Sequence, residues 1–325
     1  MNREPALNST LHRVAIITAI VSLLPIVVGA LVTTLNAGMA FPDWPTSDGH
    51  NMLTYPWLHS VGDKFIEHGH RLSGMLIGIM SLVFFGCALK LSRSRSLVVV
   101  SGLILAAVIG QGILGGTRVI LDDRNLAMTH GHFAAWVFSL IVVARLMASR
   151  TWSGLNEVQP ASGSGYLGHL LPLAVLTAIV VTLQYSLGGL LRHFGTALMS
   201  HLLFAFVVLA VVVVNAICVL MSRVTHLRWP AICQLSLAFL QVLLGGGAWI
   251  TKYGYAPTGL VAVQHSPLQV AVRTTHAVVG MLLLATSVEL TVRLMRIAMA
   301  RKYRVSDPAA DTVSVPSLST EGGLA

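Results

Sequence analysis

The sequence predicts an all-α integral membrane protein, with eight transmembrane helices arranged as two parallel-repeat four-helix bundles. Three observations lead there. Of the 325 residues, 55% are hydrophobic and only 10% are charged, whereas soluble domains carry roughly 25% charged residues; the mean hydropathy is +0.77. Eight stretches approach or exceed the ~20 apolar residues needed to cross a hydrocarbon core. A polar segment rich in Gly and Ser divides those stretches four and four.

The spans follow in order. Residues 14 to 34, 72 to 89, 97 to 117 and 126 to 144 contain no Asp, Glu, Lys or Arg. In the second half the same holds for 166 to 191, 196 to 222 and 229 to 251, and the eighth span, 267 to 292, admits only Arg273 and Glu289. Backbone polar groups in lipid must be satisfied within the segment, so these are helices. The first apolar run exceeds the roughly 7 to 15 residues of a signal-peptide core, and it is expected to be a retained helix.

Basic residues set the expected orientation. With the N-terminus inside, 14 of the 21 Lys and Arg fall at cytoplasmic ends, among them Arg13, Lys90, Arg145, Arg223 and Arg293. The outer ends hold Lys64, Arg71, Arg118, Arg124, Arg192, Lys252 and Arg273. This bias predicts both termini in the cytoplasm. The net charge of +9 is then a signature of membrane orientation, and no basic domain is present to bind nucleic acid. Cys87, Cys218 and Cys233 all lie inside spans, so no disulfide between outer loops is expected and packing roles suit them.

Four segments result: a first four-helix half over residues 1–150, a linker at 151–165 (TWSGLNEVQPASGSG), a second half over 166–300, and a polar tail at 301–325. The tail has no apolar face and is expected to be disordered. Four spans per half give both halves the same orientation, as in parallel membrane repeats. The repeat is visible directly. Gln111-x-x-Leu114-Gly115-Gly116, Gln184-x-x-Leu187-Gly188-Gly189 and Gln241-x-x-Leu244-Gly245-Gly246 are expected to end spans three, five and seven, and span one carries a degenerate copy, Pro25-x-x-Val28-Gly29-Ala30. Small residues at that depth let a helix or a flat cofactor approach closely.

Each even span in turn carries a histidine within its first turns: His70, His130, His201 and His276. Ionisable groups inside a membrane are costly and point to function. Two histidines on facing helices of one bundle form a site of the kind that holds haem or metal, and two imidazoles can ligate haem iron from opposite sides. Zinc would want further ligands close by, and His201 and His276 have none in their local sequence. His130-Gly131-His132 offers two candidates in span four. Alignment of Thr129-His130 with Thr275-His276 favours His130.

The halves differ at one position. Span two opens with Glu67-His68-Gly69-His70-Arg71, placing an acid on the histidine's helix face, while His201 has no acid nearby. Near a haem, Glu67 could move protons or stabilise developing positive charge; as a bland alternative it serves the helix macrodipole or pairs with Arg71 or Lys64. Arg273, three residues before His276, suits a haem propionate, and equally suits a stem that snorkels outward.

The Pro42-Asp43-Trp44-Pro45 segment of the first outer loop, Glu67-x-x-His70-Arg71, the Q-x-x-L-G-G copies and the four histidines together resemble the heme A synthase family over the chain up to about residue 300. The resemblance implies a bacterial plasma-membrane enzyme. It oxidises the C8 methyl group of heme O, through an alcohol, to the formyl of heme A for cytochrome oxidase assembly. It also implies haem b between His201 and His276 in the second half, where Arg273, by its place on the His276 face, is the candidate cofactor contact. The first half becomes the heme O site, with Glu67, His70 and His130 as its catalytic and iron-facing residues. Heme O synthase and a membrane electron acceptor are the implied partners. Many family members carry a cysteine pair flanking the Trp-Pro segment; here the flanks include Phe41 and Thr46, so a redox role for such a pair does not apply. The competing expectation is a di-haem electron carrier of the cytochrome b type, in which both pairs hold permanent haems.

Overall fold

The computed structural model describes residues 8–158 and 167–306. Within them the chain is all-helical: α1 (Ser9–Leu35), α2 (Asp63–Leu91), α3 (Arg95–Ile120), α4 (Arg124–Met147), a short α5 (Arg150–Gly154), α6 (Leu167–Phe194), α7 (Leu198–Met221), α8 (Thr225–Tyr253) and α9 (Pro267–Ser306). Among the described residues eight of these, all but α5, are long and apolar enough to cross a membrane. The protein is a multi-pass membrane protein.

Local chemistry explains the boundaries. Asn8 opens α1, its side chain accepting from the backbone N–H groups of Thr10 and Leu11 at 3.0 and 3.2 Å. Asp123 opens α4 in the same way, accepting from Asn125 and Leu126. Such side chains satisfy N–H groups that have no partner within the helix. Asn36 closes α1 in the left-handed conformation at φ 58°, which Asn tolerates better than most residues.

The helices run beyond the charge-free stretches in most places, because polar turns at either end remain hydrogen-bonded outside the hydrocarbon. α2 starts at Asp63, so Glu67 and His70 lie within its first two turns. The Q-x-x-L-G-G copies were expected to end their helices and do not: α3 continues to Ile120, α6 to Phe194 and α8 to Tyr253. The glycines therefore line helix flanks. The linker begins with α5, while its residues 159–165 lie outside the described residues; the tail begins by extending α9 to Ser306, and 307–325 lie outside.

Helix contacts form two closed rings. In the first, α1 meets α2, α2 meets α3, α3 meets α4 and α4 returns to α1; α6, α7, α8 and α9 repeat that pattern. The rings join through α4 on α9, α1 on α9 and α4 on α6. Exchanging α1 with α6 and α4 with α9 maps these joints onto themselves, as a parallel repeat requires. Large apolar side chains such as Ile20, Leu82, Leu103, Phe206 and Leu243 point outward, as a lipid-facing belt should.

The cores lie away from the histidines. One cluster, with Ile77, Phe84, Ile104 and Ile141, fills the first ring. A second, with Phe138, Val181, Val212 and Leu284, spans the seam. A third, with Leu170, Leu227, Leu290 and Leu294, fills the end of the second ring opposite its histidines. Two polar features sit in that region. Asn215 donates to Gln234 at 3.0 Å and Gln234 donates to Ser287 at 2.8 Å, tying α7, α8 and α9. Glu289 accepts from Arg293 at 2.5 Å and from Arg145 of the other ring at 3.2 Å. The helix interiors are thus less uniformly apolar than the sequence suggests, and the polar groups are paired, as burial demands.

Candidate functional site

Each ring brings one histidine pair together near the same end of the molecule. His70 of α2 faces His130 of α4, ring centres 6.2 Å apart and planes at 86°. His201 of α7 faces His276 of α9 at 6.3 Å and 87°. The two pairs are geometric copies.

The repeat motif builds the seat of every ring. A Cβ added at Gly29 would fall 2.7 Å from His70, and at Gly115 2.8 Å from His130; at Gly188 and Gly245 it would fall 3.1 Å from His201 and 3.3 Å from His276. At Gly29 and Gly115 only glycine lets the imidazole lie this close to the helix backbone, and at Gly188 and Gly245 a side chain would be tight. The motif's glutamine adds a hold, since Gln111 donates to the His130 carbonyl and Gln184 to the His201 carbonyl, both at 2.9 Å. Gln241 lies beside His276 at 3.5 Å.

In all four rings Nδ1 is nearer the glycine than Nε2. Each Nδ1 is buried without a hydrogen bond of full geometry, although the main chain of Pro25, Gln111, Gln184 or Gln241, four residues before the glycine, is within interacting reach. That leaves Nε2 as the ring nitrogen available to a ligand, with the Gln241 side chain 3.5 Å from that of His276. An imidazole nitrogen sits about 2 Å from a bound metal, with the ring centre about 1 Å farther, so two axial rings should stand about 6 Å apart. Both pairs meet that requirement. Among the described residues no group of three or more His, Cys, Asp or Glu is placed to hold a metal ion. Two opposed imidazoles with no third donor fit the axial positions of an iron macrocycle better than a tetrahedral ion.

His132, the other candidate in α4, faces elsewhere. Its Nδ1 donates to the Met128 carbonyl at 2.8 Å, and its ring stands 5.1 Å from Tyr185 across the seam. It lies against Gly189, where a Cβ would be 2.5 Å away. The second motif glycine of α6 thus seats a histidine from the other ring.

Glu67 is buried and fully engaged. Its Oε1 accepts from Arg71 at 2.7 and 3.3 Å, and its Oε2 accepts from the backbone N–H groups of Ala40 and Phe41 at 2.7 and 3.3 Å. Arg71 also donates to the carbonyls of Asp43 and Thr46 at 2.9 and 2.7 Å. The pair therefore fastens the first loop over the His70 end of the ring. Lys64 pairs with Asp48 rather than with Glu67. Beside the clamp, Trp44 lies flat against Gly116 of α3, leaving no room for a side chain there. Asp43 accepts from the backbone of Asp48 and Gly49 at 3.0 and 2.9 Å. Burial opposes its charge, but these bonds and one from the Thr46 side chain prevail and hold its carboxyl below the usual range.

On the lipid flank of α1 and α2 a cavity of about 320 Å³ runs beside Gly69, the neighbour of His70; Val28, Leu31, Leu72, Leu76 and Trp57 line it. Arg273 is half-buried one turn from His276 and makes no hydrogen bond or ion pair among the described residues. Arg118, in the sequence one of the outer basic residues, lies three residues beyond Gly115, the seat of His130, and packs against Gly38 of the first loop.

Two pairs of facing imidazoles, each ring seated on a glycine within a four-helix ring of a membrane protein, have the spacing that haem-like macrocycles require. No family model matches the chain. Curated relatives do match. It is 26% identical over 181 residues to a heme A synthase of Shouchella clausii, covering 54% of this chain and 58% of that protein. It is 29% identical over 153 residues to one of Rhizobium rhizogenes, covering 43% and 41%, and 31% identical over 147 residues to one of Cereibacter sphaeroides, covering 39% and 37%. The matches thus span about half the length of these relatives, or less. Over these segments the chain is similar to heme A synthases.

Proposed function

We propose that this protein oxidises the C8 methyl group of heme O to the formyl group of heme A. The reading rests on one observation above all: two histidine pairs, each at axial-ligand spacing and each ring seated on a repeat glycine. The substrate lies between His70 and His130, beside Glu67, which among the described residues is the one buried carboxylate near either pair. His201 and His276, with Arg273 nearby, would hold haem b, which would supply one-electron redox capacity when bound. The 1–150 and 166–300 halves are the substrate and cofactor domains.

The chain's own residues do three things for this chemistry. The imidazoles fix the height and tilt of each macrocycle. The loop held by Glu67 and Arg71 roofs the first site and limits water at the reacting edge. The Glu67 carboxylate supplies negative charge close to a methyl group that loses electrons and protons on its way to the alcohol and the aldehyde. The apolar cavity beside His70 suits heme O, whose long isoprenoid substituent protohaem lacks.

The histidine end faces the periplasm, both termini face the cytoplasm, and the protein sits in the bacterial plasma membrane. Heme O synthase upstream and a membrane electron acceptor are its partners. The near-identity of the two pairs favours a second reading, a di-haem electron carrier. Co-expression with a heme O-producing enzyme, followed by chromatography of extracted haems, separates them. The synthase yields heme A and the carrier yields none. Glu67→Ala should keep bound haem b and abolish heme A; normal heme A from that variant would remove Glu67 from the reaction.

A further inference from the structure

On the same face of α3 that holds Gln111 against the His130 backbone and Gly115 against its ring lies Arg118, three residues beyond that glycine. Residues at i, i+4 and i+7 share one helix face, so the guanidinium stands about one turn above the imidazole, toward the loop. It is packed inward: a Cβ at Gly38 would fall 2.8 Å from Nη1 and 3.0 Å from Nη2.

Among the described residues Arg118 makes no hydrogen bond and no ion pair within 4 Å. Its neighbours account for their own charges. Glu67 is taken by Arg71 and two loop amides, and Asp122 acts on Arg118 only at longer range. The second ring shows the contrast. Arg192, also beyond its motif glycine, donates to the Ala30 carbonyl at 2.5 Å and to the Thr34 hydroxyl at 2.9 Å. A half-buried guanidinium without an acceptor is costly unless a ligand provides one, and a planar fork matches a carboxylate.

We propose that Arg118 binds a carboxylate of the ligand in the first histidine site, a propionate of the macrocycle, and so fixes its rotation about the His70–His130 axis. This deepens the reading of that site as the heme O site. In haem the C8 methyl adjoins a propionate-bearing position, so an anchor there also positions the reacting carbon. A lipid phosphate is the other anion this guanidinium could meet, and the test separates the two.

The test is Soret titration of the purified, haem b-loaded protein with heme O and with heme O dimethyl ester, in zwitterionic and in anionic nanodiscs. Arg118→Gln should weaken heme O binding about tenfold or more, the scale of a lost charge-assisted bond, and leave ester binding unchanged. Arg118→Lys should recover part of the loss. Equal effects on acid and ester, no effect on either, or a preference that follows lipid charge rather than esterification would each overturn the assignment. If Arg118→Gln does not accumulate, Arg118→Lys against the ester decides alone: a lowered acid-over-ester preference supports the anchor, and an unchanged one rejects it. Because binding is read rather than product, a failed anchor with normal heme A formation leaves the proposed reaction standing.

Discussion

The Glu67 carboxylate and the Arg71 guanidinium, one turn apart on α2 and 2.7 Å from each other, close the first loop from beneath: one receives its amides and the other donates to its carbonyls. Both side chains are nearly inaccessible, at 2% and 7%, so removing either partner leaves a buried charge, which typically costs about 3–5 kcal/mol. Arg71→Ala should loosen the loop, and limited proteolysis within residues 36–62 is the measurement. Glu67→Gln keeps the shape and removes the charge. Heme A formation lost in Glu67→Gln with the loop still protected would assign the acid a role in chemistry beyond holding the roof.

The glycine seats give a graded expectation. Gly29→Ala and Gly115→Ala place a Cβ below 3.0 Å from an imidazole, while at Gly188 and Gly245 the contact is tight but tolerable with small shifts. Overpacking of this kind costs about 1–3 kcal/mol. The first two variants should impair heme O binding more than the last two impair haem b retention, as read by Soret titration and by haem content per protein.

His201→Ala and His276→Ala should each lose tightly bound haem b, whereas His132→Ala should retain it and leave the first pair intact. Haem content and the low-spin optical spectrum report this. Full retention of haem b in both of the first variants would refute the cofactor assignment.

Trp44 against Gly116 should be sensitive to a single methyl group. Gly116→Ala must displace the indole, and the loop with it. A red shift of Trp44 emission, in a background where the other tryptophans are replaced, is the expected sign.

Asp43 supplies a pH dependence. Its folded carboxyl lies below the ordinary value of 3.8, so it contributes stability above the unfolded value that disappears as pH falls through the lower, folded one. The Asp48 and Gly49 amides should lose exchange protection as the pH falls through that lowered value, and Asp43→Asn should remove that dependence. The effect is small because the group is partly exposed.

Much of the architecture is legible from composition and repeats. Charge-free runs locate the eight crossings because lipid tolerates few charges, and the recurrence of Gln-x-x-Leu-Gly-Gly against a histidine in the next span anticipates the cradles. The degenerate copy in α1 loses its glutamine and keeps Gly29, the atom-level requirement. What escapes is whatever depends on long-range closure. The i, i+4 spacing shows that Glu67 and Arg71 can meet, but not that their remaining bonds reach 25 to 30 residues back into the loop. His132 and Gly189 meet only because two rings dock. Arg118 reads as one more basic residue outside the membrane until its missing partner becomes visible. The helix ends overrun the apolar runs because hydropathy marks where lipid stops, and hydrogen bonding continues beyond it.

The seam between the rings carries a last consequence. α4 and α9 are counterparts that touch each other, and α1 on α9 answers α4 on α6, which is how an isologous surface meets its own copy. A single four-helix unit could therefore have worked as a homodimer with two equivalent pockets. Joining the two units in one chain frees each pocket to differ from its counterpart, and the first has a buried acid and a clamped loop at its histidine end.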